Sequence, residues 1–347
     1  MSQRRLRVAV IGCGVQGRVH LEAYRRRDEV EIAALCDLDP ARLEATGRDF
    51  GVGPRFTDFR ELLGAVPVDL VSVATMPSTH LAVASAALEA GAHVLCEKPM
   101  ALNAREGERM LATARRCGRM LTVGFNMRWM GSARFARAHV AEGRLGRPQY
   151  ARVWALANDI PWWGKHYVRA LSGGGVLAST AVHVLDLTLW VMGQPAPVAV
   201  SASMLRRFPG RRGATAPDPE AAASYDVEDL ICGHVRLEGG AALTLEAAWA
   251  YDALRSHYGF ELTGSLGRLL FDPLSVVTER DGAPVDATPA GVEDTDWPSS
   301  VRREIDDVLE AVRSGGAPLV TGEQALVVQR LTDALYESAT TGREVRL

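Results

Sequence analysis

Residues able to do chemistry gather at a few places in this chain. The first is Ile11-Gly12-Cys13-Gly14-Val15-Gln16-Gly17, a G-x-G-x-x-G run directly after a short apolar stretch and at the start of a helical pattern. The first glycine permits a tight turn, the second lets backbone approach a pyrophosphate, and the third lets helix pack on strand, while the helix N-terminus faces the phosphate charge. Asp37 stands twenty residues beyond Gly17, at the end of the next apolar run. A carboxylate there accepts from both ribose hydroxyls and repels a 2′-phosphate, so the pattern predicts NAD, with NADP disfavoured. Arg42 lies inside the following helical segment, which argues against its softening that exclusion.

Lys98 follows the apolar run His93 to Cys96, and Pro99 stiffens its exit. Open α/β sheets place ligands at that end of their strands. Hydride transfer from a carbinol leaves a developing alkoxide, which needs a proton acceptor and a positive charge beside the oxygen. Burial beside a positively charged NAD should lower the lysine's pKa and let it share the base role. His183 lies among Val182, Val184, Leu185 and Leu187, after the run Gly173-Gly174-Gly175, where a ligand can approach backbone closely. Ser179, His183 and Asp186 stand at i, i+4 and i+7, on one face of an α-helix. The segment Pro161-Trp162-Trp163-Gly164-Lys165-His166-Tyr167 offers aromatic faces for the C–H faces of sugar rings, with Lys165, His166 and Tyr167 as hydroxyl partners. Packing under a neighbouring subunit is the alternative use of those rings. The histidines are scattered without metal-ligand spacing and no G-x-S-x-G elbow occurs, so neither a metal site nor a serine nucleophile is expected.

The elements that must position these residues fall into two halves. Up to about residue 125, near-continuous apolar runs at Leu6 to Ile11, Val30 to Cys36, Leu70 to Ala74, His93 to Cys96 and Met120 to Gly124 alternate with helical patterns. That alternation predicts a doubly wound parallel sheet, a Rossmann domain over residues 1–125. From 126 to 347, strand-like segments at Pro148 to Ala157, Val198 to Met204, Asp229 to Leu237, Ala241 to Ala250 and His257 to Thr263 follow one another, after one long helix over about Val176 to Met192. The second half therefore predicts an α+β domain with a largely antiparallel sheet. Arg206 to Ser224 reads as a mobile loop. Two last helices, about Val301 to Ser314 and Gly322 to Thr340, have the option of packing back on the first domain.

Composition limits the function classes. The 347 residues are 47% apolar and 23% charged, as in globular proteins, with a net charge of −3. No basic field for nucleic acid or anionic lipid results, and the expected partner is a small molecule. Five widely spaced cysteines without a C-x-x-C pair indicate reduced thiols and a cytoplasmic setting. No signal peptide is read, since Val8 to Ile11 is too short, and no window approaches the 18 uncharged apolar residues that would span a membrane.

Thr75-Met76-Pro77-Ser78-Thr79-His80, Glu97-Lys98-Pro99, Gly124-Phe125-Asn126-Met127-Arg128-Trp129, Ser172-Gly-Gly-Gly-Val-Leu with His183-Val-Leu-Asp186, and the closing Thr321-Gly-Glu-Gln-Ala add up, with the glycine loop, to a pattern that resembles the Gfo/Idh/MocA dehydrogenases along essentially the whole chain. The resemblance implies oxidation or reduction of a secondary hydroxyl or ketone of a sugar, cyclitol or sugar derivative with NAD, in a homodimer or homotetramer, with a second domain whose open sheet binds substrate and forms oligomers. It implies that Lys98 reaches the substrate oxygen and that His183 is the acid/base. Thr75, Pro77, His80, Glu97 and Asn126 would join Gly12, Gly14, Val15, Gln16, Gly17 and Asp37 around the dinucleotide. Arg128, Trp163, His166, Tyr167 and Ser179 would meet the substrate.

The chain departs from the family pattern at Ser179, where inositol-dehydrogenase-like members carry aspartate, at Ala181, where many carry glycine, and at Met76. Serine supplies no charge to the imidazole one turn on, so His183 would lean on Lys98, or Asp186 would take over the orienting role. Two other functions fit the fold. In a redox glycosidase NAD stays bound, the sugar is oxidised transiently and elimination cleaves the glycoside. A non-catalytic dinucleotide sensor would need neither Lys98 nor His183.

Overall fold

The apolar runs of the first half pair as parallel strands, each returned by a helix. They are β1 (Leu6–Ile11), α1 (Val15–Tyr24), β2 (Val30–Cys36), α2 (Pro40–Phe50), β3 (Arg55–Phe56), α3 (Phe59–Ala65), β4 (Leu70–Val73), α4 (Pro77–Glu89), β5 (His93–Cys96), α5 (Ala104–Cys117) and β6 (Leu121–Val123). The computed structural model describes residues 4–208, 216–251, 255–292 and 296–347. Strand order is β3-β2-β1-β4-β5-β6, with Val8 paired to Ile32 on one side and Leu70 on the other. The winding direction reverses between β1 and β4, the place where doubly wound sheets bind ligands. Local signals set the helix ends: the Asp39 carboxylate accepts from the Ala41 and Arg42 amides, Asn103 caps α5, and Gly51 and Gly118 close α2 and α5 in the left-handed region.

The second half contains α6 (Gly131–Ala141), β7 (Pro148–Leu156), α7 (Arg169–Ser172), a π-turn over Leu177–Ala181, α8 (Val182–Val191), β8 (Pro197–Leu205), α9 (Pro219–Ser224), β9 (Leu230–Leu237), β10 (Ala242–Ala248), β11 (His257–Gly264), β12 (Gly267–Leu270), β13 (Ser275–Arg280) and β14 (Ala283–Asp286). It is followed by α10 (Trp297–Ser314), α11 (Gly322–Thr341) and β15 (Val345–Arg346). Nine strands form one sheet in the order β14-β13-β12-β11-β7-β10-β9-β8-β15, antiparallel except where β7 and β10 run parallel. Burial alternates along the middle of the central strands: Ala151, Val153, Ile231, Val235, Leu243 and Leu245 are buried, whereas Arg152, Cys232 and His234 are exposed. The inner face is covered by α8, which packs on β7 and β11 and carries α6.

Two units result: Met1–Asn126 with Asp296–Leu326, and Met127–Thr295 with Val327–Leu347. In the first, Val301, Ile305, Val308 and Leu309 of α10 join Val8, Leu21, Tyr24 and Leu35 in one core cluster.

Several expectations change. The long helix of the second unit is a π-turn followed by α8, so its residues are not in one α-helical phase. Of the segment read as a loop over 206–224, residues 209–215 lie outside the described residues, and Pro219–Ser224 is a helix capped by Asp218. One stretch, Arg169–Val191, is long and apolar enough on composition to cross a bilayer, contrary to expectation, but 94% of its most apolar window is buried, as in a core helix.

Candidate active site

In the first unit the glycine loop is built as its sequence requires. Gly12 has φ +98°, and a Cβ on Gly17 would stand 1.8 Å from the Gly12 carbonyl oxygen, so helix and strand meet at backbone distance. A Cβ on Gly14 would meet nothing within 4 Å. Gly14 is also the N-cap of α1 and makes no side-chain cap, which leaves the first amides of the helix directed at open space. That concavity of backbone donors fits a pyrophosphate. Asp37 is buried and bonded on both oxygens: Oδ2 accepts from the Cys13 amide at 2.7 Å and Oδ1 from the Asp39 amide at 2.9 Å. Arg42, although it lies in α2, reaches back to Asp37 with Nη1 at 3.3 and 3.4 Å from the two oxygens. Val15 and Leu38, 71% and 85% exposed, flank these groups as apolar surface.

The Glu97-Lys98-Pro99 tripeptide sits at the carboxyl end of β5. Burial pushes the Lys98 ammonium below the ordinary lysine range, and the Glu97 carboxylate opposes it. Glu97 itself is buried and accepts from His20 Nε2 at 3.1 Å. The sequence placed Glu97 and His80 against the dinucleotide; the structure uses both internally. His80 is fully buried, with Nδ1 3.0 Å from the Pro99 carbonyl and Nε2 3.0 Å from the Thr75 carbonyl. Its pKa is lowered, chiefly by burial, so the ring donates to one carbonyl at a time and braces the two loops. Thr75 is bonded to Thr79 at 2.7 Å, and Pro77 opens α4 at its first turn. Asn126 is 1% exposed and donates Nδ2 to Ser300 Oγ at 2.6 Å, while its Oδ1 has no hydrogen-bond partner among the described residues.

In the second unit, the element carrying His183 is held at its start by Glu228. That carboxylate, 3% exposed, accepts from the Gly175 amide at 2.9 Å, the Leu177 amide at 3.0 Å and the Tyr336 hydroxyl at 2.8 Å. The glycine run is required here: a Cβ on Gly174 would lie 1.9 Å from the Tyr336 oxygen, and one on Gly175 1.9 Å from the Glu228 carbonyl oxygen. The glycines therefore serve close packing against Glu228 and Tyr336. Ser179 lies in the π-turn with its amide bonded to the Gly175 carbonyl, and Ser179 and His183 are each 7% exposed.

Arg128 and Asp186 form a bidentate pair, Nε to Oδ2 at 2.8 Å and Nη2 to Oδ1 at 2.6 Å, and are 0% and 1% exposed, with the guanidinium 5.6 Å from the Trp190 ring centre. This corrects one expectation: the charge of Arg128, read as meeting substrate, is engaged by Asp186, which gives one lone pair on each oxygen to the pair. Tyr167 is corrected as well. Its ring is buried against Trp162 at 5.1 Å and stacked on Tyr225 at 6.4 Å, in a cluster that also holds Phe208. Trp163, 61% exposed, carries His166 edge-on at 4.7 Å and remains the available face of that loop.

Sequence reasoning missed the Glu228–Tyr336 brace, whose members lie 108 residues apart, and the buried group His20, Ser72 and Tyr24 behind Glu97. The second had a signal: His20 and Tyr24 lie one turn apart on the helix that the glycine loop opens. Among the described residues no cluster of His, Cys, Asp and Glu could hold a metal.

Comparison with known proteins places both units. Residues 6–125 match the oxidoreductase family model for the NAD-binding Rossmann fold, and residues 137–347 match its C-terminal alpha/beta domain. The chain is 30% identical over 350 residues to D-glucoside 3-dehydrogenase of Escherichia coli, covering 100% of this chain and 99% of that one. It is 26% identical to myo-inositol 2-dehydrogenase of Thermotoga maritima, covering 99% and 98%. Among solved structures, an oxidoreductase domain protein from Kribbella flavida superposes with a TM-score of 0.88 at 26% identity, covering 99% of each chain. A Rossmann unit with a cradle of amides at Gly14, joined to a second unit matched along its length, makes this chain a member of the Gfo/Idh/MocA family of NAD-binding oxidoreductases.

Proposed function

We propose that the protein is an NAD-dependent dehydrogenase or reductase acting on a secondary hydroxyl, or the corresponding ketone, of a sugar, cyclitol or sugar derivative. The observation that carries this reading is Lys98, placed at the carboxyl end of β5, an inner strand of the Rossmann sheet, with its ammonium pKa lowered by burial. The dehydrogenases of D-glucosides and myo-inositol among its relatives support the substrate class. NAD, when bound, supplies the hydride acceptor. The amides at Gly14 would hold its pyrophosphate and Asp37 its ribose hydroxyls, once Arg42 yields. Lys98 places positive charge at the substrate oxygen as its C–H bond breaks, and His183 takes the hydroxyl proton. Trp163, with His166 against it, offers the ring a stacking face.

A panel of cyclitols, hexoses, sugar phosphates and aryl glycosides, followed by NADH absorbance and product analysis, tests the reading. Net NADH with an intact carbon skeleton is expected; glycoside cleavage without it would point to the redox-glycosidase alternative. Lys98→Ala and His183→Ala should each lower kcat by about 10²- to 10⁴-fold while leaving NADH binding in a fluorescence titration intact. Near-normal turnover in Lys98→Ala would overturn the mechanism. We further propose a homodimer or homotetramer formed through the outer face of the nine-stranded sheet, around Ser201, Cys232 and His234, and a cytoplasmic setting, which the five free cysteines favour.

A further inference from the structure

Behind Lys98 lies a polar chain that the proposed reaction does not use. Tyr24 Oη is 2.7 Å from Ser72 Oγ, Ser72 Oγ is 3.1 Å from His20 Nδ1, and His20 Nε2 is 3.1 Å from Glu97 Oε1. Tyr24, Ser72 and His20 are each 0% exposed and Glu97 7%. They come from the buried face of α1, the middle of β4 and the end of β5, inside the first unit.

Donor arithmetic gives the chain a direction. Ser72 has one proton and meets both Tyr24 and His20. If Tyr24 donates to Ser72, Ser72 donates to His20 Nδ1, and the remaining ring proton sits on Nε2, aimed at the Glu97 carboxylate. Every buried group is then satisfied. In the reverse direction His20 donates to Ser72 and Ser72 to Tyr24, leaving the Tyr24 proton without an acceptor among the described residues. The opposite side of Glu97 is closed too: a Cβ on Gly124 would lie 3.0 Å from Oε1, and Gln16 bonds the same carboxylate.

We propose that the Tyr24–Ser72–His20 chain is a positioning device for Lys98, holding Glu97 as a fixed, ionised counter-charge beside the lysine. The charged and titratable groups around it are Glu97 facing Lys98; His20, Lys98, His80 and Cys96 facing Glu97; and Glu304 of α10 acting on Tyr24. Burial, the largest influence on Glu97, pushes its pKa up, but the hydrogen bond from His20, then Lys98 and Gln16, bring it below the ordinary range. Without the His20 donor, Glu97 drifts toward its neutral form and Lys98 loses an influence that opposes burial.

The inference rests on the proposed role of Lys98 only in its kinetic arm, so the test has two arms. In the full chain, the titration of Lys98 is read from the pH dependence of its reaction with acetic anhydride, followed by peptide mass spectrometry. His20→Leu should lower that midpoint by about one pH unit or more. His20→Gln, which keeps a donor, should restore most of the difference, and Gly124→Ala, which crowds Glu97 from the other side, should move it in the same direction as His20→Leu. Should His20→Leu not fold, Ser72→Ala, which frees the ring tautomer, should give a smaller shift of the same sign. An unchanged Lys98 midpoint in the folded variants overturns the proposal. The alkaline limb of kcat/KM should move to lower pH with the midpoint; a midpoint that moves while this limb stays put supports the device and overturns the proposed function of Lys98 instead.

Discussion

Arg128 separates a structural from a substrate-binding role, because the two predict opposite readouts. The guanidinium and the Asp186 carboxylate are 0% and 1% exposed and meet through two bonds of 2.6 and 2.8 Å. Arg128→Met fills similar volume but leaves a buried carboxylate without its partner, which costs about 3–5 kcal/mol. At roughly 2–4 °C per kcal/mol for a domain of this size, the second unit should melt roughly 6–20 °C lower. Removing both charges in Arg128→Met/Asp186→Leu should restore most of that loss, since an apolar pair of similar volume is often as stable as a buried ion pair. The assay is differential scanning calorimetry of the wild type, both single variants and the double variant, with KM measured below the lowest melting transition. A substrate-binding arginine would raise KM in Arg128→Met and leave the melting temperature where it was, and that result would refute the reasoning.

Three more outcomes follow from the geometry. Asp37→Ala frees Arg42, which now lies 3.3 Å from it, and should shift the NAD/NADP ratio of kcat/KM toward NADP, whereas Asp37→Ala/Arg42→Ala should weaken both cofactors without that preference. Gly175→Ala, with its Cβ 1.9 Å from the Glu228 carbonyl, should lose about 1–3 kcal/mol or more in urea unfolding; Gly14→Ala, with open space around its Cβ, should unfold like the wild type and bind NADH more weakly. Burial raises the Cys13 and Cys36 thiols to about 12, so at pH 8 only about one in 10⁴ is thiolate and Ellman's reagent should leave both unreacted until the protein unfolds.

The first unit was largely legible because its signals are local. β1, β2, β5 and α2 begin and end where the apolar runs, Asp39 and Gly51 put them. β3, two residues long, is too short to leave a pattern. In the second unit β12 to β14 escaped notice, since they are short and interrupted by Gly, Pro and charged residues, and take their place from pairing rather than propensity. Local backbone was legible where residue type fixes it, as at Gly12, whose φ of +98° suits the turn that glycine permits. The site was not legible where a partner decides: Arg128 reads as a cation for substrate until Asp186, 58 residues away, is seen to hold it. The five residues of the π-turn have ordinary helix-compatible side chains, so their altered winding comes from Glu228, Tyr336 and Trp249, whose indole donates to Thr180 at 2.9 Å.

That turn amounts to one residue more than an α-helix would use over the same length. Each residue of an α-helix advances the azimuth by about 100°, so absorbing an extra one rotates everything after Ala181 by about that angle relative to everything before Leu177. The phase between the Gly173–Gly175 segment and His183 is thus stored as chain length, not as a side chain. A single-residue deletion among Leu177–Ala181 would let the segment wind as an α-helix over the same length and keep the imidazole in its present direction, whereas winding the same residues as an α-helix, with none removed, would swing it by about that angle.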